Sequence, residues 1–265
     1  LSVHFGIIGG GVMGEALLSR LLAQRLYEPH QVIVSDPQPQ RREVLSQQYG
    51  VQVTDDNQAV MVASVLLLAI KPQVFDVVVN GLNSKRLSQV VLSILAGVPL
   101  QRLEAAFPGQ PVIRSMPNTP ATVGAGVTAI AAGHHAKPEH LQLAQQIFAA
   151  VGTVVEVPES LLDAVTGLSG SGPGYIAIMI EALIDGGVAV GLPRAIATQL
   201  AVQTVRGTAE LIQTKSIHPA QLKDQVTSPG GTTIAGIAAL EQAGIRSALI
   251  EAVKAACQRS KELGQ

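Results

Sequence analysis

The tightest constraint in this sequence is six residues long. Gly9-Gly10-Gly11-Val12-Met13-Gly14 follows directly on the bare apolar run Val3 to Ile8 and opens the helical stretch Val12 to Ala23. These glycines form G-x-G-x-x-G at a strand–turn–helix junction. Gly9 there permits a tight turn, Gly11 lets the backbone approach a pyrophosphate, and Gly14 lets helix and strand pack closely. Val12 and Met13 open the helix, whose N-terminus offers free N–H groups and the positive dipole end to an anion. The pattern alone is weak. The strand–turn–helix context, and the acid Asp36 at the end of the second strand, set it apart from a turn that holds no ligand.

Further short apolar runs continue the series: Gln31 to Ser35, Ser64 to Ile70 and Gln89 to Ile94, with helical stretches such as Gln40 to Tyr49 between them. Val112 to Met116, Gly126 to Ala132 and Thr153 to Val157 are additional strand candidates. Bare apolar strands alternating with helices predict a parallel, doubly wound sheet covered on both faces. After Pro158 the strand signal stops, and the remainder reads as helices broken by glycine and proline. The expected organisation is an α/β dinucleotide-binding domain over 1–158 and an all-α domain over 159–265. Within the latter, Tyr175 to Val190 is apolar almost all round, interrupted by Glu181, Asp185 and glycines. Such a helix must be buried on nearly every side. About a hundred residues can hardly surround it alone, so a second subunit is expected to wrap it.

Composition removes several function classes. Lys+Arg number 18 against 19 for Asp+Glu, whereas nucleic-acid binding demands clustered positive charge. The same balance gives nothing to hold an acidic membrane surface, and no charge-free apolar run reaches the ~20 residues of a bilayer span. The single cysteine, Cys257, excludes an intramolecular disulfide and a multi-cysteine metal site; no metal is expected. A first strand beginning by Val3 leaves no room for a signal peptide, so a reducing, cytoplasmic setting is expected.

Several other residues are placed around the glycine turn. Asp36, next to Ser35, sits where an acid accepts hydrogen bonds from the adenosine ribose and repels a 2′-phosphate. Arg41 and Arg42 follow closely and are equally suited to bind such a phosphate or to form a solvated helix face. NADH and NADPH both remain open, with Asp36 favouring NADH. Asn57 begins a helix after the third strand, Ala69 lies near the end of the run Ser64 to Ile70 that makes the fourth, and Lys71 and Pro72 follow it, at a carboxyl end where open α/β sheets bind ligands. Met116, Pro117 and Asn118 end a later strand and suit a wall for the nicotinamide.

The most unusual stretch is Val226-Thr227-Ser228-Pro229-Gly230-Gly231-Thr232-Thr233. Successive backbone N–H groups in such a loop form a concavity for an anion, reinforced by the helix expected from about Ile234. Ser228, Thr232 and Thr233 add hydroxyl donors. The plainer alternative, a threonine capping the helix, requires neither the two glycines nor three hydroxyls. A small carboxylate is the ligand this loop suggests.

Taken with Asp163 to Pro173, Glu181 to Pro193, Lys71-Pro72-Gln73 and Met116-Pro117-Asn118-Thr119-Pro120, the loop resembles the pyrroline-5-carboxylate reductase family over essentially the whole chain. Gly174 stands where that family often has alanine. The resemblance implies a Rossmann-like domain followed by a helical domain that dimerises by intertwining, with rings of dimers known in the family. It further implies hydride transfer from NADPH or NADH to 1-pyrroline-5-carboxylate, giving L-proline. Ser228, Gly230, Gly231, Thr232 and Thr233 would hold the substrate carboxylate, with Thr233 near the ring nitrogen as the catalytic donor. A cyclic imine is itself basic, which fits the lack of an obvious Tyr/Lys or His/Asp pair. Two rivals share the plan: a hydroxyacid dehydrogenase, disfavoured because no lysine follows Ser169 to Pro173, and a non-catalytic nicotinamide sensor.

Overall fold

The computed structural model describes residues 3–82 and 87–264. Eight strands among them form one sheet: β1 (Phe5–Ile8), β2 (Val32–Ser35), β3 (Gln52–Thr54), β4 (Val65–Leu68), β5 (Val90–Ser93), β6 (Val112–Met116), β7 (Gly126–Ala132) and β8 (Gly152–Glu156). The helices between them are α1 (Val12–Ala23), α2 (Pro39–Tyr49), α3 (Asn57–Val60), α4 (Phe75–Asn80), α5 (Leu100–Ala106), α6 (Pro138–Ala149) and α7 (Leu162–Val165). After them come α8 (Gly172–Ala189), α9 (Arg194–Lys215), α10 (Pro219–Gln225), α11 (Thr232–Gln242) and α12 (Ile245–Leu263).

The sheet order is β3-β2-β1-β4-β5-β6-β7-β8. Side chains alternate between its faces, and both faces are apolar, so both must be covered. Phe5, Ile7, Val65 and Leu67 join one buried cluster with Leu17, Leu21 and Phe148 from α1 and α6. Ile8, Leu66 and Leu68 join the other with Phe75, Leu103 and Leu162 from α4, α5 and α7. With Trp absent and aromatics at 3%, this double core is chiefly aliphatic.

The sheet is mixed rather than wholly parallel. β6 and β7 pair antiparallel, with Ile113 opposite Ala132 and Met116 opposite Ala129. The cause is the connection. β6 ends at Met116 and β7 starts at Gly126, with only a 3-10 turn (Thr119–Val123) between them. A parallel crossover needs about a dozen residues or more.

The chain divides into two compact units, Leu1–Ser171 with Ala255–Gln265, and Gly172–Lys254. The strands end where expected, but the first unit continues past residue 158. Arg114 on β6 is only 6% exposed and needs a counter-charge. It finds one in Glu159 at 2.9 Å, which also accepts from the Leu100 N–H at 2.5 Å. Leu162 is fully packed, and a π-helical turn, Thr166–Gly170, follows α7. The Ser260 hydroxyl donates to Asp163 at 2.6 Å, fastening the end of α12 to this unit.

The second unit holds very little buried surface of its own. No residue of α8, α10 or α11 is buried, and α9 buries only Ala197 and Ala201. Gly187 on α8 lies against Ala197, and the Tyr175 hydroxyl donates to the Ala252 carbonyl at 3.3 Å. The helical run Glu159–Ala189 is long and apolar enough, by length and composition alone, to cross a membrane. It is built of separate 3-10, α, π and α pieces rather than one continuous α-helix.

Candidate functional site

Strand order reverses at β1, which has β2 on one side and β4 on the other. Connections leaving neighbouring strands to opposite sides open a crevice at their carboxyl ends. The glycine turn lies there. Gly9 has φ +102°, and a Cβ on it would stand 2.6 Å from the Ala69 carbonyl oxygen beyond β4. A Cβ on Gly14 would collide with the Gly9 carbonyl, so both glycines are required by the protein's own packing. Gly11 differs. Among the described residues nothing lies within 4 Å of its Cβ position, so no contact with them demands a glycine there. It caps α1 without any side chain accepting from the first turn, while Val12 is 68% exposed. Open space over uncapped N–H groups fits a pyrophosphate, and these residues suit a dinucleotide.

Asp36, half-buried beyond β2, accepts from the Gly10 N–H and the Gln38 N–H, each at 2.9 Å. Two oxygens offer about four lone-pair positions, so capacity for ribose hydroxyls remains. Both following arginines are engaged. Arg41 donates to the Gly10 carbonyl and pairs with Glu15. Arg42 donates to the carbonyls of Asp36 and Pro37, at 2.8 and 3.1 Å, and lies 3.6 Å from Asp55. Glu15 also accepts from the Tyr49 hydroxyl at 2.8 Å. Burial pushes the Glu15 carboxyl up, but hydrogen bonds from Arg41 and Tyr49, with the Arg41 charge, outweigh it and hold the group below its ordinary range. Sequence reading passed over Glu15 and Tyr49. An acid in a first helical turn is ordinary, and its partners are 26 and 34 residues away.

The remaining predicted residues spread along the same edge. Ser35, 1% exposed, hydrogen-bonds the Asn57 side chain at the start of α3, whose cap is Asp56. The Ala69 N–H donates to the Ile8 carbonyl at 2.8 Å, joining the ends of β1 and β4. Lys71 is exposed, and Pro72 opens a 3-10 turn leading into α4. Met116, Pro117 and Asn118 lie at the carboxyl end of β6, beyond β5 from β4. The Asn118 side chain accepts from the Val127 N–H at 2.9 Å and donates to the Ser169 carbonyl at 3.2 Å. It therefore braces β7 and the π-helical turn.

In the second unit, the loop before α11 departs from one sequence alternative. Neither Thr232 nor Thr233 caps that helix; Gly231 does, with no side chain accepting from the first turn. Gly230 takes φ +66°, and the Gly231 N–H donates to the Ser228 carbonyl at 3.0 Å. The helix end therefore presents backbone N–H groups, as an anion loop requires. A groove of about 500 Å³ between α9 and α10, lined by Thr204, Leu211, Leu222 and Val226 among others, contains none of the loop's hydroxyls or glycines.

What the first unit provides is the nucleotide-holding half of a dinucleotide-dependent oxidoreductase. Relatives narrow that class. Residues 4–97 match a family described as NADP oxidoreductase, coenzyme F420-dependent, and residues 159–263 match pyrroline-5-carboxylate reductase dimerisation. A pyrroline-5-carboxylate reductase of Synechocystis sp. is 61% identical over 100% of both chains. The solved pyrroline-5-carboxylate reductase of Coxiella burnetii shares 34% identity, with TM-score 0.91 and full coverage of both chains. The Plasmodium falciparum pyrroline carboxylate reductase, solved with NADP bound, shares 28% identity, with TM-score 0.90 over 99% of this chain and 98% of that one. The chain belongs to the pyrroline-5-carboxylate reductase family.

Proposed function

We propose that this chain reduces 1-pyrroline-5-carboxylate to L-proline, using NADPH or NADH. The observation that carries the reading is the 61% identity to a pyrroline-5-carboxylate reductase along the full length of both chains. Reduced nicotinamide supplies the hydride when bound. Gly9, Gly11, Val12, Met13 and Gly14 hold the pyrophosphate; Ser35, Asp36 and Asn57 take the adenosine side. Ala69, Lys71 and Pro72 line the crevice, and Met116, Pro117 and Asn118 bound the nicotinamide end, with Asn118 acting through the backbone segments it braces.

Ser228, Gly230, Gly231 and Thr232 bind the substrate carboxylate through N–H groups and hydroxyls. Thr233 hydrogen-bonds the ring nitrogen and helps to deliver or retain its proton. Protonation of that nitrogen makes the imine carbon electrophilic, and a basic imine needs little acid catalysis, so orientation supplies most of the rate. The absence of side-chain caps at both helix N-termini favours anions at each. The apolar surface of α8 and α9 packs against a second copy in a homodimer, and dimers assemble further into rings. The enzyme works in the cytoplasm, with no membrane or nucleic-acid partner.

The test is direct. Purified protein should oxidise NADPH or NADH, followed by loss of nicotinamide absorbance, only when pyrroline-5-carboxylate is added, with proline formed in equal amount. Oxidation without proline, or turnover of a 2-oxo acid instead, would overturn the assignment.

A further inference from the structure

The cluster formed by Glu15, Arg41 and Tyr49 is not used in holding the pyrophosphate or the imine. Arg41 lies beside the glycine turn, donating to the same residue, Gly10, whose N–H is bound by Asp36. That is where a guanidinium would meet an adenosine 2′-phosphate. Arg41 is nevertheless committed: Glu15 pairs with it, and Tyr49 steadies Glu15 from the other oxygen. Arg42 is committed too, to the carbonyls of Asp36 and Pro37 and to Asp55. Each arginine thus has one carboxylate partner, Glu15 for Arg41 and Asp55 for Arg42, while the Asp36 carboxylate is held by backbone N–H groups.

We propose that Glu15 sets the choice between the two dinucleotides: by holding Arg41 against the glycine turn, it withholds the guanidinium from a 2′-phosphate and biases the site toward NADH. This rests on reading Gly9 to Gly14 and Asp36 as the nucleotide site. Glu15 touches neither ribose nor phosphate in this scheme; it is a positioning residue acting through Arg41. Its charge matters because a 2′-phosphate must compete for the guanidinium with a carboxylate already paired to it.

The test compares adenosine 5′-monophosphate with adenosine 2′,5′-bisphosphate, and NADH with NADPH, by calorimetric titration of the whole protein. Wild type should bind the members lacking the 2′-phosphate more tightly. In Glu15→Gln the ratio should move toward the 2′-phosphate by roughly tenfold, the worth of one hydrogen bond to a charged group. Tyr49→Phe, which removes one donor to Glu15, should move it less and in the same direction. Glu15→Gln combined with Arg41→Gln should restore the wild-type ratio. A purely structural role for Glu15 would weaken all four ligands together and leave the ratios fixed, which would overturn the proposal, as would a shift surviving loss of Arg41. Failure of wild type to bind any of the four would instead remove the nucleotide site itself, and this proposal with it.

Discussion

Leu66, Leu67 and Leu68 on β4 are 0% exposed within a single chain, whereas α8, apolar but for Glu181 and Asp185, buries nothing. Ile178 stands 67% exposed and Val190 83%. The first unit closes its core with its own helices on both faces of a sheet. The second leaves its apolar residues for another copy to cover, and it is the region matching the family's dimerisation segment. Stability in the first unit is therefore a property of one chain, and in the second a property of concentration.

The largest effect should come from Ile178→Asp. If the second copy covers this side chain, the buried charge occurs twice, and at several kcal/mol each the loss is upwards of about 5 kcal/mol per dimer. Sedimentation should show monomers with reduced helix content; a stable dimer would break the contrast. Leu67→Ala should cost ~2–5 kcal/mol through a cavity in the first unit. Its lowered melting temperature should depend on protein concentration no more steeply than wild type does, with the dimer intact at the assay temperature.

The two ligand regions sharpen the comparison further. Gly11→Val should leave the protein folded, with the modest cost of a poorer cap on α1, since nothing among the described residues lies within 4 Å of its Cβ position, yet weaken nucleotide binding by about a hundredfold, or ~2.7 kcal/mol. Unchanged NADH or NADPH affinity by calorimetry, in the folded variant, would show that no pyrophosphate lies there. Thr233→Ala in the second unit should leave nucleotide affinity alone and slow turnover roughly ten- to a hundredfold, for ~1–3 kcal/mol. A fall in kcat places the hydroxyl on the nitrogen; a rise in KM alone places it on the carboxylate. Wild-type values of both would remove Thr233 from the chemistry.

Much of the first unit was legible because a strand buried on both faces is a short run of bare apolar residues. Val65–Leu68 and Val90–Ser93 lie inside the runs singled out for them. β3 was harder: Gln52–Thr54 is three residues at the sheet's edge, exposed or half-exposed throughout. The direction of β7 was not in its own residues, since strand patterns are the same either way; it lay in the short stretch between Met116 and Gly126. The fold of Glu159 to Ser171 back onto the sheet was hidden because it depends on a long-range pair, Arg114 with Glu159. Around the glycine turn, the local motif announced Gly9, Gly11 and Gly14, while the fate of Arg41 and Arg42 depended on partners that only the tertiary structure supplies. At Thr232 and Thr233, residue type alone suggested a cap that backbone geometry gives to Gly231.

The last segment of chain, Ala255–Gln265, belongs with the first unit, not the one it has just left. Ser260 reaches Asp163, and Leu263 lies against Gly97, where an added Cβ would stand 3.3 Å from its backbone. A ribosome delivers residues 3–171 long before it delivers these. The sheet can be assembled early, but its packing against the end of α12 must wait for nearly all of the helical unit to be translated. Lesions in codons near 260 should therefore act at a distance in the gene, loosening a domain encoded well upstream of them.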